Sequence, residues 1–468
     1  MTSPKSTPAR VQAAANLREL MQWAATARSQ PLPEFVRRRA ATILADDIGA
    51  MVVGSLERQV AEARQGFMKT ATGTAEATVL AKGAARVDRY TAACANGMAI
   101  TWCELDEGFR SASCHAGAYT IPALLAEAEA RGLSVNEVLH AVAVAYEVTT
   151  RIALAYPFPS FYVHPHAAFA TIGAAAAVSL VRGHDAKTML GALTGAASMS
   201  FAGPFDTAVE GSLVRNGWTA AGAWVGMRAA DWAEGGIAGG IDTPYDVFVG
   251  NFRTRAIPEA LVNGLGSEWS VAHGYHKIYA CCNYAHAAVE ATLDLRSRMQ
   301  QRKMSDIREI VVEAGPGGLA LTTVEPETVL AAKFSIPHAV AAPAHLGTAG
   351  AAAFTHDTLD DKTIAGLRRI VRLAPYAKAG PPPHDRPSRV TWKFSDGGEM
   401  SSLRESPRGG ADQPFDESTL LEKLADNTRA VFPNASKVLS GIITGEAAAL
   451  AQNWRDAMAA LVRDGKRL

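Results

Sequence analysis

The residues best equipped for chemistry fall in one stretch, Asn96–Tyr119, which reads NGMAITWCELDEGFRSASCHAGAY. Three carboxylates, Glu104, Asp106 and Glu107, are packed together there, an irregular polar run over 108–113 follows, and His115 stands just before an apolar helix expected over 119–130. Acids beside a histidine at the mouth of a buried helix suit proton transfer, because imidazole titrates near neutral pH and a carboxylate can orient it. His164 has a similar setting, on a loop before a helix of small apolar residues expected over 167–181, where the helix dipole favours an anion. Two cations could hold a carboxylate: Lys277, in the run HGYHKIYACCNYAH, and Arg215, in a glycine-punctuated loop over 201–217. Arg215 could equally pair with Glu210, and His286 reads as structural. Each feature also has a plainer reading: solvated acids, capped histidines and a surface lysine.

The remaining motifs are informative by their absence. There is no GxxxxGK[ST], no HExxH and no strand-led GxSxG, and Gly264-Leu265-Gly266 lacks a third glycine, which argues against ATP, nicotinamide, zinc and acyl-enzyme chemistry. Five cysteines without CxxC spacing argue against a zinc or disulfide framework, and nothing in their spacing recommends an iron–sulfur cluster. Lys+Arg and Asp+Glu balance at 46 each, leaving no electrostatic footprint for nucleic acid or an acidic membrane. The N-terminus has no apolar signal region and the Ala-rich runs are interrupted by polar residues, so a cytoplasmic protein with no metal and no cofactor is expected.

The elements that must position these residues are mostly helices. Hydrophobic residues make up 48% of the chain but aromatics only 7%, a composition for close-packed helices with small residues at their contacts. At 468 residues, two domains are expected. After a disordered lead over 1–14, helical patterns follow one another, among them 34–53 with an apolar stripe and 138–154 behind the capping box Ser134-x-x-Glu137. A proline- and aromatic-rich loop is expected over 156–162. From about Lys277 the pattern changes: a strand over 307–312, helices over 334–348 and 362–371, and a β-hairpin of 389–393 and 399–404 around Ser395-Asp396-Gly397-Gly398. Helices resume after the Gly/Pro-rich stretch 407–414. The simplest topology is a mainly α protein, with a large all-α domain of 15–276 plus 413–468 interrupted by a smaller α+β domain over 277–412.

Taken together, Asn96-Gly97-Met98-Ala99, Leu105-Asp106-Glu107, His115-Ala116-Gly117, Tyr146-Glu147-Val148, His164-Pro165, Lys277, Ala332-Lys333-Phe334-Ser335-Ile336 and Arg408-Gly409-Gly410 resemble the MmgE/PrpD family in order and spacing over nearly the whole chain. The family includes 2-methylcitrate dehydratases, cis-aconitate decarboxylases and iminodisuccinate epimerases. The resemblance implies an all-α domain with an inserted α+β lid, a homodimer, and cofactor-free chemistry on a small di- or tricarboxylate between the domains. It maps the family's acidic motif onto Glu104 to Gly108, its catalytic histidines onto His115 and His164, and its lid lysine onto Lys277. Three departures stand at substrate-binding positions: Glu104 in place of an aspartate, Ser212 in place of a lysine with Arg215 the nearby cation, and His338 in place of a tyrosine. The expected activity is a hydro-lyase of the 2-methylcitrate dehydratase type, with His115 and His164 as acid and base, Asp106 orienting them and Lys277 binding carboxylate. An epimerase, a decarboxylase, and a lapsed ligand-binding member are the alternatives.

Overall fold

The computed structural model describes residues 7–158 and 162–463. The protein is mainly α. Its centre is the helix Pro165–Arg182, buried along its length from Pro165 to Val181, as a helix without a polar face must be. The helices Ala116–Arg131, Val135–Ala155, Ala186–Ser198 and Gly217–Glu234 pack around it. Small residues set the spacing of these contacts. A Cβ placed on Gly226 would lie 2.5 Å from the Thr171 carbonyl oxygen and 2.5 Å from the Ala174 Cβ, so the two backbones meet there with no room for a side chain.

The helix starts follow local chemistry. Ser134 and Glu137 form the reciprocal capping box, Asp185 accepts from the Thr188 amide, and the His164 ring accepts from the His166 amide at 3.1 Å. Val135–Ala155 is the one described helix long and apolar enough to cross a membrane by length and composition, and 89% of its most apolar window is buried within the protein.

The helices Glu417–Thr428 and Ala435–Thr444 pack against Glu34–Gly54, so the two ends of the chain share one helical layer. Between them lies a four-stranded sheet in the order Val371–Pro375, Ile307–Ala314, Ser388–Phe394, Glu399–Arg404. The first pair is parallel, with Ile310 opposite Val371, and the other two pairs are antiparallel. The helices His286–Ser297 and Ile336–Leu346 pack on each other, and the first also covers the hairpin, whose Val390 and Trp392 are fully buried. A two-residue ladder, Gly108–Phe109 against Gly274–Tyr275, joins the acidic segment to the segment that carries Lys277.

Three expectations need correction or restriction. Helix begins at Pro8, so residues 8–14 are not a disordered lead. Thr7 caps the Arg10 amide, and Arg10 pairs with Asp242 and Asp246, long-range partners that hold the first turn. The helix expected over 362–371 ends at Arg369, and Val371–Pro375 is instead a strand, because a parallel partner far along the chain completes its backbone hydrogen bonds. Residues 1–6, and 159–161 of the expected loop, lie outside the described residues.

The packing makes one substitution act oppositely at two sites. Gly226→Ala, despite a helix-propensity gain of up to ~1 kcal/mol, is expected to lower stability by about 1–3 kcal/mol through overpacking. Gly66→Ala, in the helix Arg58–Thr70 with nothing within 4 Å of the added Cβ, is expected to raise it. Urea unfolding midpoints of the two variants check this.

Candidate active site

The acidic segment leaves the helix Arg89–Ile100 and turns through Glu104, whose φ of +53° lies in the left-handed region that a non-glycine residue rarely adopts. That turn delivers a fully interior cluster: Glu104, Asp106, Arg215 and Lys277 are each no more than 2% exposed. Arg215 ion-pairs with one oxygen of Glu104. The Lys277 ammonium stands 3.3 Å from the other oxygen and 3.4 Å from Asp106 Oδ1. Burial alone would raise both carboxyl pKa values. At Glu104 the charges of Arg215 and Lys277 outweigh it, and at Asp106 the charge of Lys277 and the contact with His115 do, so both acids are held below the usual carboxylate range. Burial would likewise lower Lys277, but Asp106 and Glu104 hold it above the usual lysine value.

The cluster fixes the state of His115. Its Nδ1 lies 2.7 Å from Asp106 Oδ2 and 2.8 Å from the Glu107 carbonyl oxygen, both acceptors. Nδ1 therefore carries the hydrogen, and Nε2 is left with the lone pair available for a proton. His164 differs. Burial, and then Arg215, push it well below the ordinary histidine value, so it is neutral. Its Nδ1 accepts the His166 amide, while Arg215 Nε approaches Nε2 at 3.3 Å. A neutral ring has one lone pair, so it cannot satisfy both donors.

His166, two residues beyond His164, joins the two histidines. Its ring sits 4.9 Å from that of His115 and 4.5 Å from that of His164, with Nδ1 bonded to the Tyr119 hydroxyl at 2.8 Å. Behind His115 lies an acid pair. Glu107 accepts from the Gly117 amide at 2.7 Å and the Tyr146 hydroxyl at 2.9 Å, and its own amide donates to Asp47 Oδ1 at 3.0 Å. Asp47 Oδ2 is buried without a hydrogen-bond partner, and a Cβ on Gly117 would lie 2.0 Å from it, so only glycine fits there. Burial pushes Glu107 up to about 8 and raises Asp47 well above the carboxylate range.

The ion cluster borders a cavity of about 60 Å³, room for about four to six waters. Glu104, His115, His164, Arg215 and Lys277 line it, and Asp106 stands behind His115. Ser212 is exposed, and His338 is buried against the Ala353 carbonyl and Arg368; neither lines the cavity. His286 bonds the Cys281 carbonyl, and burial lowers it to about 3. Phe109, Pro165, Phe205 and Phe334 supply apolar wall. Tyr275, Asn283, Tyr284 and Arg386 complete the polar wall. Sequence reasoning missed all four. Arg386 had no local signal, since it sits in a proline-rich stretch far from every other site residue. Among the described residues no group of three or more His, Cys, Asp or Glu could hold a metal ion.

Comparison with known proteins places this geometry in context. Residues 18–257 match the family model of the MmgE/PrpD N-terminal domain, and residues 279–443 match that of the MmgE/PrpD C-terminal domain. A cis-aconitate decarboxylase-like protein of Aspergillus oryzae, oryM, is 26% identical over 435 residues, covering 86% of this chain and 89% of that protein. A cis-aconitate decarboxylase of Aspergillus terreus is 26% identical over 325 residues, covering 63% of this chain and 64% of that protein.

The raised Glu107 gives a pH signature. Its folded pKa of about 8 exceeds the ordinary 4.5, so the folded state holds a proton that the unfolded chain releases. Its stabilising contribution is complete below the ordinary value and is lost as pH rises through the folded one. Thermal melts should therefore show wild-type stability declining, relative to Glu107→Gln, from pH 5 to pH 8.

Proposed function

Because the chain belongs to the MmgE/PrpD family, we propose that it is a lyase for a small di- or tricarboxylate, working by proton exchange at the carbon next to a carboxylate. The observation that supports this best is the Asp106–His115 pair, which commits Nδ1 to the protein and leaves Nε2 for the substrate. In this reading His115 is the catalytic acid/base, and Asp106 and the Glu107 carbonyl are positioning groups. Asp106, ionised and buried, stabilises the imidazolium whenever His115 holds the extra proton.

Decarboxylation is the first reading, supported by the relatives named above and by the aromatic wall. A carboxylate against Phe205 and Phe334 loses its hydration, which favours release as uncharged CO2. The carbon–carbon bond breaks, its electron pair stays on the substrate carbon, and the His115 imidazolium protonates that carbon. Dehydration, expected from the sequence, is the second reading, and it is supported by His164 standing on the cavity wall beside Arg215, where a leaving hydroxyl could be held. There His115 removes the α proton and, as the imidazolium, delivers it to the β-hydroxyl, which leaves as water.

The proposal includes cofactor-free turnover, a homodimer, and residues 277–412 acting as a lid over the cavity. Proton NMR in D2O with cis-aconitate, citrate and 2-methylcitrate tests the reaction. Loss of CO2 with one deuteron entering the product is the expected result, and an alkene formed from a hydroxy acid would select dehydration. His115→Ala should lower either rate by about 10²–10⁴-fold, and undiminished turnover would sink the assignment. A protein stabilised by these acids without turning them over would be a lapsed, ligand-binding member.

A further inference from the structure

The cations first expected to clamp substrate are already engaged. Arg215 uses Nη2 on Glu104, Nη1 on the Thr101 carbonyl and Asn216 Oδ1, and Nε on His164. Lys277 is shared between Glu104 and Asp106. Two positive and two negative side chains thus neutralise one another, and a substrate carboxylate arriving there would have to displace an internal partner.

Arg386 is different. It is buried and lines the same cavity, and its guanidinium lies 4.6 Å over the Tyr284 ring. Nε donates to Asp385 Oδ2 at 3.2 Å and Nη1 to Asn283 Oδ1. Asp385 also accepts from Arg110 Nη2 at 3.0 Å, and Arg110 faces Asp412 at 3.6 Å on its other side, so Asp385 takes only one N–H of Arg386. Among the described residues Nη2 has no hydrogen-bond partner. Asn283, likewise on the cavity wall, accepts from Arg386 with its oxygen, and its amide nitrogen has no acceptor among the described residues.

We infer that Arg386 and Asn283 form the subsite that receives a substrate carboxylate, through Arg386 Nη2 and Asn283 Nδ2. Two unpartnered donors, one charged and both held by neighbours, match the two oxygens of a carboxylate. The ring of Tyr284 and the carboxylate of Asp385 fix the fork before substrate arrives, so little ordering remains for binding to impose. The engaged cluster around Lys277 then governs proton transfer, and recognition belongs to Arg386 and Asn283 on the same cavity. The inference rests on the polycarboxylate reading and adds which residues hold the substrate.

Calorimetric titration with propane-1,2,3-tricarboxylate, which has three carboxylates and no leaving group, tests it. The wild type should bind, and Arg386→Gln should bind about 10–150-fold more weakly, as expected for loss of a hydrogen bond to a charged group. Asn283→Ala should weaken binding in the same direction by less. If Arg386→Gln does not fold, Arg386→Lys decides the matter, because it keeps the charge but loses the fork and should still weaken binding. Undiminished affinity in a folded Arg386 variant overturns the subsite while leaving the polycarboxylate reading standing. Wild-type protein that fails to bind the tricarboxylate overturns that reading and the subsite with it.

Discussion

Lys277 held between Glu104 and Asp106 is the interaction on which the rest of the site depends. Removing ions from water costs several kcal/mol each even after relaxation, so such a group persists only when every member is paired. Here the pairing closes on itself: Arg215 on Glu104, Lys277 on both acids, and His115 on Asp106. Losing one member would strand a charge in the interior, at a cost of about 3–5 kcal/mol. The cluster is therefore a folding constraint as well as the setting of the proposed chemistry. A second ion group reinforces it from the neighbouring residues. His276 bonds Asp46 at 2.7 Å, and Lys423 pairs with Asp46 and donates to the Leu105 carbonyl at 2.7 Å. Leu105 lies between the two clustered acids, so a helix near the C-terminus steadies the acidic turn, while the Gly274–Tyr275 ladder brings in Lys277.

Small residues let these groups approach. Gly117 allows Asp47 to lie against the start of the helix that follows His115, and the Glu107 side chain caps that same start through the Gly117 amide. A proton retained by the Glu107 and Asp47 pair spares the site one of two further buried negative charges beside Asp106. The central helix contributes in the same manner. Being small and apolar on all sides, it can be surrounded by four others, and its first turn carries His164 and His166 into the interior.

Much of this was legible in the sequence, for reasons that can be stated. The acidic run, His115 and His164 were visible because each sits at a break between local patterns, where a polar residue precedes a buried helix. The cap at Ser134 and the hairpin around Ser395–Gly398 were visible because their chemistry is local. Ser212 and His338 came from alignment with a family motif, and the structure puts neither side chain on the cavity wall. Arg386, the strand Val371–Pro375 and the helical residues 8–14 were hidden for a common reason. Each takes its place from partners distant in the chain: Asn283 and Tyr284, the strand Ile307–Ala314, and Asp242 with Asp246. The tautomers were equally out of reach, since they depend on which atoms surround each ring.

The central claim is that Asp106 and the Glu107 carbonyl keep the hydrogen of His115 on Nδ1 and leave Nε2 for the substrate. The most direct measurement is a long-range nitrogen–proton NMR spectrum of protein labelled with ¹⁵N in histidine, with His115 assigned by its loss in His115→Ala. The account predicts a hydrogen on Nδ1 of His115 in the neutral ring, and a shift towards the other tautomer in Asp106→Asn. A neutral His115 carrying its hydrogen on Nε2 in the wild type would contradict it.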